Sequence, residues 1–94
     1  YRDLDVDTDK CLVLLNGEEV HLTSTEYKLL CYLIENKGRI VTKAMLLEQL
    51  WDIDGNFVDE NTVRVNIKRL RQKLNDDKQE YIVTVFGMGY TFGE

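Results

Sequence analysis

No proline interrupts the 94-residue chain, and no stretch is rich in Gly, Ser or any single residue. Nothing in it marks a linker or a disordered tail, so the chain should be ordered nearly throughout. Long apolar runs are missing too. None approaches the roughly 18–20 residues a membrane span needs, and no signal-peptide pattern opens the sequence, so the prediction is a cytoplasmic protein with no membrane partner. Cysteine occurs twice. Cys11 (CLVLL) and Cys31 (LLCYLI) form no CxxC and sit among apolar neighbours, which predicts two buried free thiols in a reducing compartment. Histidine occurs once. His21 falls in a predicted strand beside no evident nucleophile, and neither a Gly-rich phosphate loop nor a catalytic pair appears, so no enzyme and no cofactor are implied. The alternating Asp3, Asp5, Asp7 and Asp9 have no His or Glu to complete a metal site and read as protection of an exposed strand edge. DIDGN at 52–56 departs from the ligand order of a calcium loop and reads as a turn.

What is present is a single domain over residues 1–94, able to bury roughly 65% of its unfolded surface. The first residue is Tyr1 and not Met, from which a longer protein with its missing portion upstream is expected. The formal charge is −5, but it is unevenly spread: residues 1–61 carry six Lys/Arg against thirteen Asp/Glu, and residues 62–94 six against four. An acidic whole argues against a non-specific polyelectrolyte binder, whose affinity would come from phosphate neutralisation alone. It leaves a specific one open.

Taken in order, Leu4 and Val6 alternate with aspartates, and CLVLLNGEEVHL places an Asn16-Gly17 turn between two apolar runs, predicting an antiparallel sheet within residues 3–22. TSTEYKLLCYLIEN then opens on a capping box, Thr23-x-x-Glu26, with Leu22 and Tyr27 at the spacing of a hydrophobic staple. Leu30, Cys31, Leu33 and Ile34 extend its inward stripe, and Gly38 stops it. Ile40-Val41 reads as a strand fragment. Thr42 caps a second helix, KAMLLEQLW, with Leu46, Leu47, Leu50 and Trp51 inward, and a loop from Asp52 to Val58 leads to Asp59 as the next N-cap.

The stretch Asp59–Asn75, DENTVRVNIKRLRQKLN, reads as a helix with two different faces. Val63, Ile67, Leu70 and Leu74 recur at the spacing of one buried stripe. At about 100° per residue, Thr62, Val65, Arg69, Gln72 and Lys73 point away from it, flanked by Asn61, Arg64, Asn66, Lys68 and Arg71. Between Thr62 and Asn75 there are five bases and no acid. Such a concentration is either a solvated helix face or a footprint for a polyanion, and the outward Val65 with the neutral base-reading types Asn61, Asn66 and Gln72 favours the second. After Asp76-Asp77, IVTV and YTF flank Phe86-Gly87-Met88-Gly89 as a hairpin. Helix-turn-helix followed by hairpin describes an α+β winged helix.

Three separated motifs carry a family resemblance over essentially the whole chain: LTSTEYKLLCYLIENKGRIVTKAMLLEQLW, VDENTVRVNIKRLRQKL and IVTVFGMGYTF. In order and spacing they resemble the effector domain of OmpR/PhoB-type response regulators, with its LTxxEfxLLxxL…W, Ix-RLRxKL and TVrGxGYxf signatures. The resemblance implies a winged helix-turn-helix with an N-terminal antiparallel sheet, three helices and a C-terminal β-hairpin wing. It further implies double-stranded DNA as partner, with helix 59–75 in the major groove and wing 81–92 near the minor groove, and two copies dimerising on direct-repeat half-sites. An upstream receiver domain, a sensor kinase and an RNA polymerase contact through loop 52–58 follow from the same resemblance. Carried over by position, Thr62, Asn66, Lys68, Arg69 and Lys73 fall where the family contacts DNA, and Arg64, Val65, Phe86 and Thr91 complete the expected DNA-binding residues. Arg64 stands where the family often has an acid, and Phe86 and Thr91 where many relatives place a base. Two rivals are a winged-helix module whose basic helix binds an acidic protein, and an RNA binder. The second would need stacking aromatics exposed on a sheet.

Overall fold

A computed structural model describes residues 3–54, 60–76 and 81–93. The chain opens with a three-stranded antiparallel sheet in the order β1-β2-β3, formed by Leu4–Asp7, Leu12–Leu15 and Glu18–Glu19. Leu4 pairs with Leu15 and Val6 with Val13, so one face is apolar; Leu4 and Val13 are buried and Asp5 and Asp7 exposed. Asn16 and Gly17 both take positive φ, 53° and 81°, as a two-residue hairpin matched to strand twist requires. Asp5 and Asp7 line an edge strand, and Asp7 also accepts the N–H groups of Asp9 and Lys10 at 3.0 and 3.3 Å to close the next turn. That turn corrects the expectation for Cys11, which is exposed. At φ 51° it ends the turn in left-handed backbone, ahead of the strand that begins at Leu12, so its side chain never enters the inward alternation. Cys31 is half-buried, and that burial raises its thiol pKa. His21 lies just past β3, outside any strand, with its side chain exposed 3.6 Å from Glu19.

Helix α1 is Ser24–Glu35. Its capping box is complete: Glu26 N–H donates to Thr23 Oγ1 at 3.1 Å, and Thr23 N–H to Glu26 Oε1 at 2.9 Å. Leu22 and Tyr27 both pack against the core, as the staple spacing predicts. The stripe is centred slightly earlier than expected, on Leu29, Leu30 and Leu33, with Cys31 and Ile34 half-buried at its margin. Thr42 Oγ1 accepts Met45 N–H at 3.2 Å and starts α2, Lys43–Asp54. The helix therefore runs three residues beyond the predicted end at Trp51, because Asp52, Ile53 and Asp54 contain no breaker and the first glycine is Gly55. Leu46 and Leu50 are buried as predicted. The inward placement of Trp51, the remainder of the loop to Val58 and the Asp59 N-cap lie outside the described residues.

Helix α3, Glu60–Lys73, buries Val63, Ile67 and Leu70, with Leu74 just beyond its end, to within 1% exposure, the stripe expected from the spacing. It stops on a left-handed cap. Asn75 has φ 54° and donates to Gln72 O, while Asp76 N–H reaches back to Arg71 O at 2.8 Å. The three helices pack on one another around these residues, at about 1.5–3 kcal/mol of apolar transfer for each fully buried side chain.

Strands β5, Ile82–Val85, and β6, Gly89–Phe92, form the wing. Its inner strand also pairs with β4, Val41–Thr42, giving the order β4-β6-β5. Ile40 is left outside and exposed. Gly89 sits where the strands converge, and a Cβ there would lie 2.1 Å from the Val41 carbonyl oxygen, so no other residue fits without moving the backbone. The result is a winged helix-turn-helix of α+β class.

Candidate nucleic-acid interface

The first two-thirds of α3 presents the outward surface. Asn61, Arg64, Lys68 and Arg69 are exposed, with Thr62, Val65 and Asn66 half-buried between them. Asn61, Arg64 and Lys68 follow one line at i, i+3, i+7, and Thr62, Val65 and Arg69 a second beside it, so one helix face combines three cations with short polar side chains. Asn66 Nδ2 donates to Thr62 O at 2.9 Å, one turn back, which fixes the amide and leaves its oxygen to accept from outside.

Arg71 and Lys73, at the end of the same helix, are engaged inside the domain. Arg71 donates from Nε and Nη2 to the Ile82 carbonyl at 3.1 and 2.7 Å, and from Nη2 to Thr84 Oγ1 at 2.7 Å. Its guanidinium carbon lies 5.7 Å from the centre of the Tyr90 ring. Burial lowers the Arg71 pKa, and the neighbouring Asp76 and Tyr90 oppose the change. Asp76, 3% exposed, accepts Tyr81 N–H at 3.0 Å and Ile82 N–H at 2.8 Å, so helix end and wing root are tied twice. Lys73 Nζ bonds Glu26 Oε1, the carboxylate that also closes the α1 capping box. Burial by itself raises the Glu26 pKa; the Lys73 hydrogen bond, the Thr23 N–H and the Lys73 charge together outweigh it and hold the carboxyl below its ordinary value.

Strand alternation orders the wing. Thr84 and its cross-strand partner Tyr90 both face Arg71, so Val83 and its partner Thr91 occupy the opposite face of the hairpin. Phe86, at the tip, is 93% exposed, so it does not pack on its own domain.

Of the residues singled out from sequence, the structure brings together Thr62, Arg64, Val65, Asn66, Lys68 and Arg69, and holds Phe86 out on the adjoining wing. Lys73 is drawn towards α1 by Glu26, and Thr91 is half-buried on the hairpin face opposite Arg71. Sequence reasoning missed Arg71 and Asp76 as the pair that sets the wing. Helical phase placed Arg71 on the flank of the stripe, which was the one available signal for an inward role. No helix of the described residues is long and apolar enough to cross a membrane.

Comparison with known proteins agrees with this geometry. Residues 17–92 match the family described as transcriptional regulatory protein, C terminal. The transcriptional regulatory protein YcbL of Bacillus subtilis is 41% identical over 93 residues, covering 97% of this chain and 41% of that protein. The chain thus spans about two-fifths of the length of such relatives. The response regulator DrrB of Thermotoga maritima, an OmpR/PhoB homologue, superposes with a TM-score of 0.87 at 37% identity, covering 98% of this chain and 42% of that one. The Klebsiella pneumoniae RstA DNA-binding domain, solved in complex with the RstA box, gives 0.82 at 36% identity and covers 97% and 91%. A winged helix of this topology, matched by the family across most of its length, belongs with the C-terminal effector domains of OmpR/PhoB-type response regulators, a family of DNA-binding transcriptional regulators and not of enzymes.

Proposed function

We propose that this domain recognises double-stranded DNA in a sequence-specific manner, with α3 in the major groove and the wing beside the adjacent minor groove. The observation that carries the reading is the outer face of α3, where Arg64, Lys68 and Arg69 are exposed around Thr62, Val65 and Asn66. A helix fits a groove about 12 Å wide, and Arg, Lys and Asn there meet base edges while the cations also reach phosphates. The RstA domain, seen in complex with its box, supports DNA as the partner.

The longest dimension of the domain is 35 Å, close to the roughly 34–36 Å between successive major-groove faces on one side of a duplex. Two copies on direct-repeat half-sites would therefore be neighbours, and dimerisation on DNA would add the avidity that three exposed cations per copy do not supply. The greater length of the relatives and the response-regulator match support a whole protein with a receiver domain upstream; a sensor kinase that phosphorylates it and action in the cytoplasm rest on the family resemblance. RNA polymerase contact through residues 52–58 rests on the family resemblance alone.

Selection from random duplexes, followed by salt titration of the recovered site, tests the proposal. The expected result is a repeated half-site whose log-log salt slope falls by about one in Arg69→Ala. Recovery of no duplex, with salt-sensitive binding to an acidic protein instead, would replace the DNA reading with the interaction-module one.

A further inference from the structure

The wing ends in an apolar point. Phe86 is 93% and Met88 53% exposed, and no charged residue lies between Val85 and Gly89. A tip built to follow phosphates needs cations or side-chain donors, and this one has neither. Nor is it loosely mounted. Arg71 and Asp76 bind β5 at Ile82 and Thr84, and Gly89 is wedged against the Val41 carbonyl. Thr84 faces Arg71, and Phe86 lies two residues further along, in the turn just past the end of β5. The hairpin that carries the aromatic ring is thus fixed at its root to the end of α3.

We propose that Phe86, with Met88 beside it, enters the minor groove next to the α3 site as an apolar wedge, partly unstacking one base step and bending the duplex. This rests on the DNA-binding reading above. A phenyl ring forms no hydrogen bond with the acceptors on the groove floor, so its gain comes from burial against deoxyribose and base faces. Unstacking is easiest at flexible pyrimidine–purine steps such as TA and CA/TG, and hardest in A-tracts, whose narrow groove rewards a cation. The wing would then select deformable steps at a position where it reads no base edge.

The test uses a selected half-site, alone and as a tandem repeat, carrying 2-aminopurine at successive steps beside the α3 site and a fluorescence-transfer pair on its ends. The wild-type domain should brighten 2-aminopurine at one step and bend the duplex. Phe86→Ala should lose both signals and bind about 5- to 20-fold more weakly, with its salt slope unchanged because no phosphate contact is lost. Phe86→Leu, still apolar, should keep most of the bend. Replacing a TA step by AA should weaken the wild type more than Phe86→Ala. Equal bending and affinity in wild type and Phe86→Ala would overturn the wedge while leaving DNA binding intact. A loss confined to tandem sites would overturn it in favour of contact with a second copy. If no duplex binds, both readings fall together.

Discussion

The two ends of α3 carry the same kind of side chain and use it in opposite directions. Arg64, Lys68 and Arg69 stand in solvent, whereas Arg71 is folded onto the wing and Lys73 onto α1. A base in the first group adds charge to a surface. In the second group it satisfies a carbonyl, a hydroxyl and a carboxylate that folding has taken from water. A count of bases along the helix therefore overstates what is available to a partner: of five, three are exposed without such an engagement.

The contrast is sharpest at Arg71. Arg71→Met removes three hydrogen bonds and the cation over Tyr90, and should cost about 2–4 kcal/mol of stability, seen as a lowered denaturant midpoint. An unchanged midpoint would mean the wing holds its place without the latch. Lys73→Met leaves a carboxylate that is 1% exposed without its cation, but Thr23 N–H still bonds it and Lys73 itself is 36% exposed, so the loss should be about 2–3 kcal/mol, below the range of a fully buried pair. This pair also has a pH signature. The folded pKa of Glu26 lies below its ordinary 4.5, so the native state holds fewer protons there than the unfolded chain. The stabilisation is present in full above that value and is lost as pH falls from 4.5 through the folded pKa. Thermal melts from pH 6 to 3 should show that decline in the wild type, and Glu26→Gln should remove this component.

Arg69→Ala examines the other end of the helix. It should lose about 1–3 kcal/mol of operator binding while shifting stability by no more than about 0.5 kcal/mol. A large fall in its melting temperature would show that Arg69 belongs with the latches. The smallest effect expected is at the wing, where Phe86→Arg should steepen the salt slope by at most about one unit. A slope equal to that of the wild type would place the tip away from the DNA backbone.

Much of this architecture was legible because it is local. The capping box, the Asn16-Gly17 turn, the Val63–Leu74 stripe and the outward phase of Arg64, Lys68 and Arg69 are each set by residues within a few positions of one another. The latches are not. Glu26 and Lys73 are 47 positions apart, and nothing in either residue's neighbourhood announces the other. Val41–Thr42 is too short for an alternating pattern to reveal its partner in β6. Cys11 misled for a different reason, since its apolar neighbours implied burial while the backbone turn just before the strand directed it outward.

Gly89 also defines how this domain can be re-engineered. Because a side chain there would collide with the Val41 carbonyl, and because Thr42 in the same strand caps α2, the root of the wing is part of the scaffold shared with the helix-turn-helix. The loop tip at 86–88 has no such obligation: all three residues are exposed, and Gly87 alone needs its positive φ. Chimeras with a sister domain should therefore exchange residues 86 and 88 as a cassette and leave 89 onward untouched. The module's groove preference can then be rewritten without reopening its fold.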